Sequence, residues 1–185
     1  NQIKPLIESN QKWHIVGHSL GAIIIQHILS KYKPRNIGQI ILLAPPNHGS
    51  KVYSFLQSHL PISLYLARID HLPLQFQEEP IAPNICKNYD CHLIAGQVSW
   101  TFLGLFLGEP SDGILTVSST KINGLKSIQI INQEHLFMLF SKETYQSILK
   151  ILQKNKLLLF PDRFHIYSNY LSHLLTYLEA EKFVL

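Results

Sequence analysis

The chain has 185 residues, of which 46% are hydrophobic and 15% are charged, and this balance excludes a disordered or fibrous protein. Its formal net charge is +4, but the 16 lysines and arginines are scattered along the chain, so the sequence indicates no nucleic-acid-binding surface. No apolar run reaches the roughly 20 residues that a transmembrane helix needs.

The amino terminus bears on how the chain relates to a longer protein. It begins with Asn1, and its only methionine is Met138. We therefore expect the natural beginning to lie upstream. Because residues 1–8 show no signal-peptide pattern, and an upstream segment could carry one, localisation is left open with the cytoplasm marginally favoured.

Short apolar segments alternate with helix-like segments through most of the chain. Strands are predicted at Trp13 to Val16, Gln39 to Leu43, Cys91 to Ala95 and Ser127 to Ile131. Their nearly continuous apolar character predicts strands that are covered on both faces. Helices are predicted from Leu20 to Tyr32, ended by Pro34, and from about Lys142 to Lys154, capped by Ser141. This alternation predicts an α/β fold with a mostly parallel sheet and flanking helices.

Two regions fall outside the alternation. Residues 52–84 carry four prolines and follow a strand, so we expect a lid or a pocket wall on the ligand-binding side of the sheet, with a long surface loop as the alternative. Residues 156–185 carry apolar residues at helical spacing, and we expect a helical tail of unknown role. Residues 1–155 are then assigned to one α/β domain.

Cys86 and Cys91 are the only cysteines. Their spacing is neither the CxxC of a redox motif nor that of a zinc site. A short-loop disulfide would need an oxidising compartment, and we prefer the interpretation that both are buried thiols.

The most informative motif is G-x-S-x-G, which spans Gly17 to Gly21 between a predicted strand and a predicted helix. A serine in so sharp a turn takes a strained backbone conformation, and its neighbours must be small; Gly17 and Gly21 meet that need. Ser19 is therefore the candidate nucleophile. The backbone N–H of Leu20, at the helix amino terminus, is the expected oxyanion donor. The alternative is a glycine-bounded turn with an ordinary surface serine.

A nucleophilic serine needs a base, and a carboxylate to orient that base, in the chain order serine, acid, histidine. Among ten histidines, His135 stands out because it follows the strand that ends at Ile131 after a short loop. That loop lies at the sheet edge where ligands bind. His48 is the rival, but it precedes every convincing acid.

The candidate acid is Asp112, in an Asp-Gly turn between the third strand and His135. Asp-Gly is also a common turn without function. Its order between Ser19 and His135 favours the catalytic interpretation, and Glu109 is the fallback.

Taken together, these motifs resemble a family of bacterial lipase-like and esterase-like α/β-hydrolases. The resemblance covers roughly residues 12–153, and its matching segments are 14–21, 43–50, 93–96, 110–120 and 135–138. It implies the α/β-hydrolase fold, with Ser19 as nucleophile, Asp112 as acid and His135 as base. It also implies that Pro46 to Ser50 shape the acyl pocket.

The resemblance further implies hydrolysis of carboxylic esters through an acyl-enzyme, with no metal or organic cofactor. The substrate would be a small-molecule or lipid ester; transient contact with a lipid surface is a further expectation, and the oligomeric state is open. An acyltransferase or a thioesterase could use the same three residues.

One family feature is not found. The family carries an early His-Gly motif whose loop supplies a second oxyanion donor, whereas the only such pair here, His48-Gly49, follows Ser19. We therefore expect an amino-terminally truncated fold, and a non-catalytic binding module is the remaining alternative.

Overall fold

The computed structural model describes residues 12–54, 76–99 and 107–153. Its elements in chain order are β1 (Trp13–His18), α1 (Leu20–Tyr32), β2 (Ile37–Leu43), β3 (Asp90–Gly96), β4 (Ser127–Ile131) and α2 (Lys142–Gln153). Short 3₁₀ helices lie at Ser118–Thr120 and Phe137–Phe140. The four predicted strands and both predicted helices are confirmed, with strands up to two residues longer at an end. Most of the expected lid, residues 55–75, and the expected tail, residues 156–185, lie outside the described residues.

The strands of the described part form one sheet in the order β1-β2-β3-β4, and every neighbouring pair is parallel. The strands end nearly level with one another, because Leu43 of β2 pairs with Ile94 of β3, and Gly96 of β3 pairs with Ile131 of β4. Because parallel strands all end at one edge, the loops after β1, β2, β3 and β4 emerge side by side.

The two long helices cover opposite faces of the sheet. Ala22 and Leu29 of α1 pack with the face that carries Ile15 and Ile40. Ile148 and Ile151 of α2 pack with the other face, because their cluster contains the alternate strand residues such as Val16 and Ile41. The core is therefore two apolar layers separated by the sheet. Among the described residues, neither helix is long and apolar enough to cross a bilayer.

Strand β4 does not follow the prediction that both strand faces are covered. Ile128 and Ile130 are each 46% exposed, whereas Ile131 is buried. In the described part of the chain, β4 is an edge strand, and the cluster around α1 contains residues of β1, β2 and β3 but none of β4. The apolar composition of β4 is therefore not evidence that both of its faces are covered.

Cys86 and Cys91 are free thiols, and both are buried in the cluster beneath α1. The thiol of Cys91 donates a hydrogen bond that lowers the pKa of Cys86, and the same contact together with burial raises the pKa of Cys91. The preferred interpretation of two buried thiols is confirmed.

Candidate active site

Ser19 occupies the sharp turn between β1 and α1. Its φ of 52° and ψ of −125° lie where residues with a Cβ are strained, and such strain persists only when the surroundings hold it. The Ser19 N–H donates to the carbonyl of Leu43 at 2.9 Å, and its own carbonyl accepts from the N–H of Ala22 at 3.0 Å. Leu20 begins α1, so its N–H is one of the first-turn donors that the helix itself does not pair. The turn thus presents a hydroxyl and an amide at the carboxyl edge of the sheet.

The two glycines of the motif are not equivalent. A Cβ on Gly17 would overlap the side chain of Ile25 and lie 2.9 Å from the Cα of Ala22, so β1 and α1 can approach only at a glycine. A Cβ on Gly21 would meet no atom within 4 Å in residues 12–54, 76–99 and 107–153. The expectation that both neighbours of Ser19 must be small is correct for Gly17 and wrong for Gly21, because no atom of the described residues crowds Gly21.

Hydrogen bonds join Ser19, His135 and Asp112 into one chain. The Nε2 atom of His135 lies 2.9 Å from the Oγ of Ser19, and its Nδ1 atom lies 2.7 Å from Oδ2 of Asp112. His135 and Asp112 are only 4% and 1% exposed. With Nδ1 donating to the carboxylate, the ring has an unprotonated Nε2 that can accept the hydroxyl proton of Ser19. The structure thus brings together the three residues predicted from chain order.

The carboxylate of Asp112 is held by its own turn. Its Oδ1 atom accepts from the N–H groups of Ile114 at 3.0 Å and Leu115 at 2.7 Å. The backbone carbonyl of Asp112 also accepts from the N–H of His135 at 3.0 Å. Both the orientation of the carboxylate and the position of the base therefore depend on this turn.

Gly96, at the end of β3, is a residue whose importance sequence reasoning missed. A Cβ there would overlap the carbonyl oxygen of Gln133 and lie 2.8 Å from the Cβ of Asp112. The loops that carry Asp112 and His135 can therefore close over β3 only because this position has no side chain. The sequence shows only a glycine at a strand end, 16 residues before Asp112, and does not indicate which loop approaches it.

The rival base and the fallback acid lie elsewhere. The Nε2–H of His48 donates a hydrogen bond to the carbonyl of Lys121 at 3.1 Å. Glu109 forms a partly exposed ion pair with Lys51 at 3.6 Å. Neither has a hydrogen bond to Ser19 or His135 in the described part of the chain.

The segment from Pro46 to Ser50 is tied to the core and to the acid turn. Asn47 is fully buried; its Oδ1 accepts from Nε2 of Gln26 at 2.8 Å, and its Nδ2 donates to the carbonyl of Thr120 at 2.7 Å. The hydroxyl of Ser50 donates to the carbonyl of Ile114 at 2.7 Å. This loop is therefore held beside the acid turn.

His18, the second residue of the motif, has no role in the predicted site, yet it contacts His135. Its ring centroid is 4.8 Å from that of His135, with 44° between the planes, and its Nε2 lies 3.0 Å from the backbone carbonyl of His135. Burial, and then the charge of His135, lower the pKa of His18, against the opposing effects of that hydrogen bond and of Asp112. The ring is therefore held in its neutral form.

A parallel sheet between two helical layers, with a strained serine at a strand-to-helix turn and a Ser-His-Asp chain at the carboxyl edge, defines the α/β-hydrolase fold. No three His, Cys, Asp or Glu side chains of the described ranges lie close enough together to share a metal ion.

Comparisons with known proteins agree with this fold. The model of a family described as serine hydrolase matches residues 3–82, a segment that contains Ser19 but neither Asp112 nor His135. The mature form of Bacillus licheniformis lipase BlEst2 is similar in structure, with a TM-score of 0.63 and 16% identity over 82% of this chain and 70% of that chain. The propeptide form of the same lipase gives a TM-score of 0.60 and 17% identity over 90% of this chain and 40% of that one.

At such low identity the likeness to the lipase shows the fold alone. The chain has the α/β-hydrolase fold, and the family match adds support for a hydrolase of the serine type. The comparison with curated proteins gives no match.

Proposed function

We propose that the protein is a serine hydrolase that cleaves carboxylic esters through an acyl-enzyme. The observation that carries this proposal is the buried hydrogen-bonded chain from Ser19 through His135 to Asp112. A surface serine in an ordinary turn would have no need of a buried histidine and carboxylate aligned behind it, since burying such groups costs free energy.

In the first step, Nε2 of His135 takes the hydroxyl proton of Ser19 while Oγ attacks the ester carbonyl carbon. Asp112 keeps Nδ1 protonated and stabilises the imidazolium that forms. His135 then passes the proton to the leaving alcohol oxygen, the carbonyl re-forms, and the acyl group stays on Ser19.

In the second step, a water molecule takes the place of the alcohol. His135 accepts one of its protons as the water oxygen attacks the acyl carbon, and then returns that proton to Oγ of Ser19. The products are a carboxylic acid and free enzyme, so the balance needs no cofactor.

The negative charge on the carbonyl oxygen needs donors that are already oriented. The N–H of Leu20 is the donor that we assign, because it lies next to the nucleophile in the first turn of α1, where the helix itself leaves the amides without partners. The positive end of the α1 dipole adds to this stabilisation.

We further propose that the ester is apolar and that the protein touches lipid surfaces transiently. Residues that directly follow His135 are strongly exposed although they are apolar: Leu136 is 62% exposed, Phe137 63% and Phe140 75%. Two apolar segments of the sequence, residues 55–66 and 100–107, would suit either a lipophilic acyl group or the core. The first lies outside the described residues, as does the second apart from its last residue. Turnover should rise from acetyl to octanoyl nitrophenyl esters; a flat or falling series would contradict an apolar acyl group.

The decisive test is the variant Ser19→Ala, with Ser30→Ala in α1 as the matched control. Wild type and the control should hydrolyse nitrophenyl esters and be labelled covalently by a fluorophosphonate, whereas Ser19→Ala should do neither. Labelling that persists in Ser19→Ala would overturn the assignment of the nucleophile. A wild-type protein without either property would overturn the proposed function.

Product analysis separates hydrolysis from acyl transfer. With an ester and added alcohol, a hydrolase yields mainly the free acid, whereas a dominant new ester would identify an acyltransferase. Faster turnover of matched thioesters would instead identify a thioesterase.

A further inference from the structure

His18 makes a contact that the reaction described above does not use. A carbonyl oxygen only accepts hydrogen bonds, so at 3.0 Å from the carbonyl of His135 the Nε2 atom of His18 must carry the proton and donate it. The two residues are 117 positions apart, and His18 lies immediately before Ser19 at the end of β1.

We propose that His18 is a positioning residue, whose Nε2–H holds the backbone of His135 so that the base stays in contact with Ser19. This inference rests on the proposed function and assigns one more residue to the same site.

The first argument concerns the hydrogen bonds that hold the backbone of His135. Its N–H donates to the carbonyl of Asp112 at 3.0 Å, and its carbonyl accepts from His18, so the peptide groups on both sides of the base are held. After His135 the chain runs into exposed side chains, Leu136 and Phe137, which pack little against the core. The chain is next anchored at Met138, which is buried and whose N–H donates to the carbonyl of Glu134 at 2.9 Å. The bond from His18 is therefore the restraint that acts on the peptide group of His135 itself.

The second argument is that the end of β1 carries His18 and leads directly into Ser19. Ser19 and His18 are consecutive residues of one strand end, so the nucleophile and the donor that holds its base move together. A displacement of the loop after β4 would have to break this bond before it could lengthen the 2.9 Å contact between Nε2 of His135 and Oγ of Ser19.

The third argument concerns charge. Among the described residues, the titratable groups that face His18 are His135 and Asp112, and burial with the charge of His135 holds the pKa of His18 below its ordinary value. His135 becomes a cation during the reaction. A cationic His18, with ring centroids 4.8 Å apart, would oppose that step and slow it on the order of a hundredfold. The contact therefore works only with a neutral ring, which is the form that the site favours.

The test compares His18→Phe, which keeps a ring but removes the donor, with His18→Gln, whose Nε2–H can replace that of the histidine. His18→Phe should lower kcat about threefold to tenfold, as loss of one hydrogen bond does, and change KM little. His18→Gln should recover most of this loss. The rate of fluorophosphonate labelling should follow kcat in both variants.

Thermal unfolding and the pH profile separate positioning from packing. At low pH, kcat/KM of the wild type should fall with a steeper slope than that of His18→Gln, because a protonated His18 places a charge beside His135 and glutamine cannot take up a proton. Equal kcat in all three proteins would overturn the proposal, as would equal losses in both variants together with a lower Tm. If His18→Phe does not fold, an unchanged slope in His18→Gln would still overturn it. The Ser19→Ala test does not depend on His18. If the proposal for His18 fails, the proposed function therefore still stands.

Discussion

Replacing Asp112 by asparagine tests the orientation of the base, because this substitution keeps the size of the side chain. In the native turn, Oδ1 accepts from the N–H groups of Ile114 and Leu115, and Oδ2 accepts from Nδ1 of His135. An asparagine has one oxygen and one NH₂ group, so it can satisfy only one side of this arrangement.

The two backbone donors decide which side is satisfied. If the NH₂ group faced Ile114 and Leu115, two hydrogen bonds would be lost and buried donors would oppose each other, at a cost of about 1–3 kcal/mol for each unsatisfied group. The oxygen therefore stays with these donors and the NH₂ group faces His135. Nδ1 of His135 must then accept, which moves the ring proton to Nε2, where it blocks the transfer from Ser19. We expect kcat to fall by about 10⁴-fold.

The assay is nitrophenyl ester turnover, with thermal unfolding as a check on folding. Glu109→Gln is the matched control: it makes the same change in the fallback acid, which is partly exposed and paired with Lys51, and it should change kcat less than about twofold. The reasoning would be refuted if folded Asp112→Asn kept kcat within tenfold of wild type, or if Glu109→Gln lost as much.

Three further predictions concern stability and thiol chemistry. Gly17→Ala should destabilise by about 1–3 kcal/mol because the new Cβ meets α1, whereas Gly21→Ala should be neutral or stabilising by up to about 1 kcal/mol; equal unfolding midpoints would contradict the difference between the two sites. Asn47→Ala should cost about 2–4 kcal/mol in urea unfolding, since it removes two buried hydrogen bonds and leaves the carbonyl of Thr120 without the one from Asn47, and a loss below about 0.5 kcal/mol would count against this network. Cys86 and Cys91 should both react with iodoacetamide after denaturation without reductant; a protein mass showing neither alkylated would mean that they form a disulfide.

The sequence predicted well what depends on local pattern. Strand, sharp turn and helix around Ser19 lie within about twenty consecutive residues, so composition and spacing suffice to predict them. The joining of Asp112 to His135 was predicted from chain order at the sheet edge, which follows once the sheet is parallel. The catalytic roles of these residues stay predictions until the variants are measured.

What the sequence did not predict depends on distant contacts. Gly96 matters because Gln133 approaches it, and His18 matters because the carbonyl of His135 does. Neither contact leaves a local pattern. The exposed face of β4 is missed for a similar reason: an edge strand and a central strand can have the same apolar composition, and Ile128 differs from its buried neighbour Leu93 only by its place in the sheet.

The acid turn links more than the base to the rest of the site. Through its backbone carbonyl and its carboxylate, Asp112 holds His135 at two atoms, while the carbonyl of Ile114 accepts the hydroxyl of Ser50 at 2.7 Å. The loop that we expect to shape the acyl pocket is therefore joined to the turn that orients the base, two residues from the carboxylate. A substitution at Ser50 that displaces this loop should alter kcat as well as KM, because the turn cannot shift without moving the carboxylate. We therefore expect the specificity and turnover of this protein to be coupled through one short segment, so that an acyl pocket redesigned at that loop would need the hydroxyl of Ser50 kept.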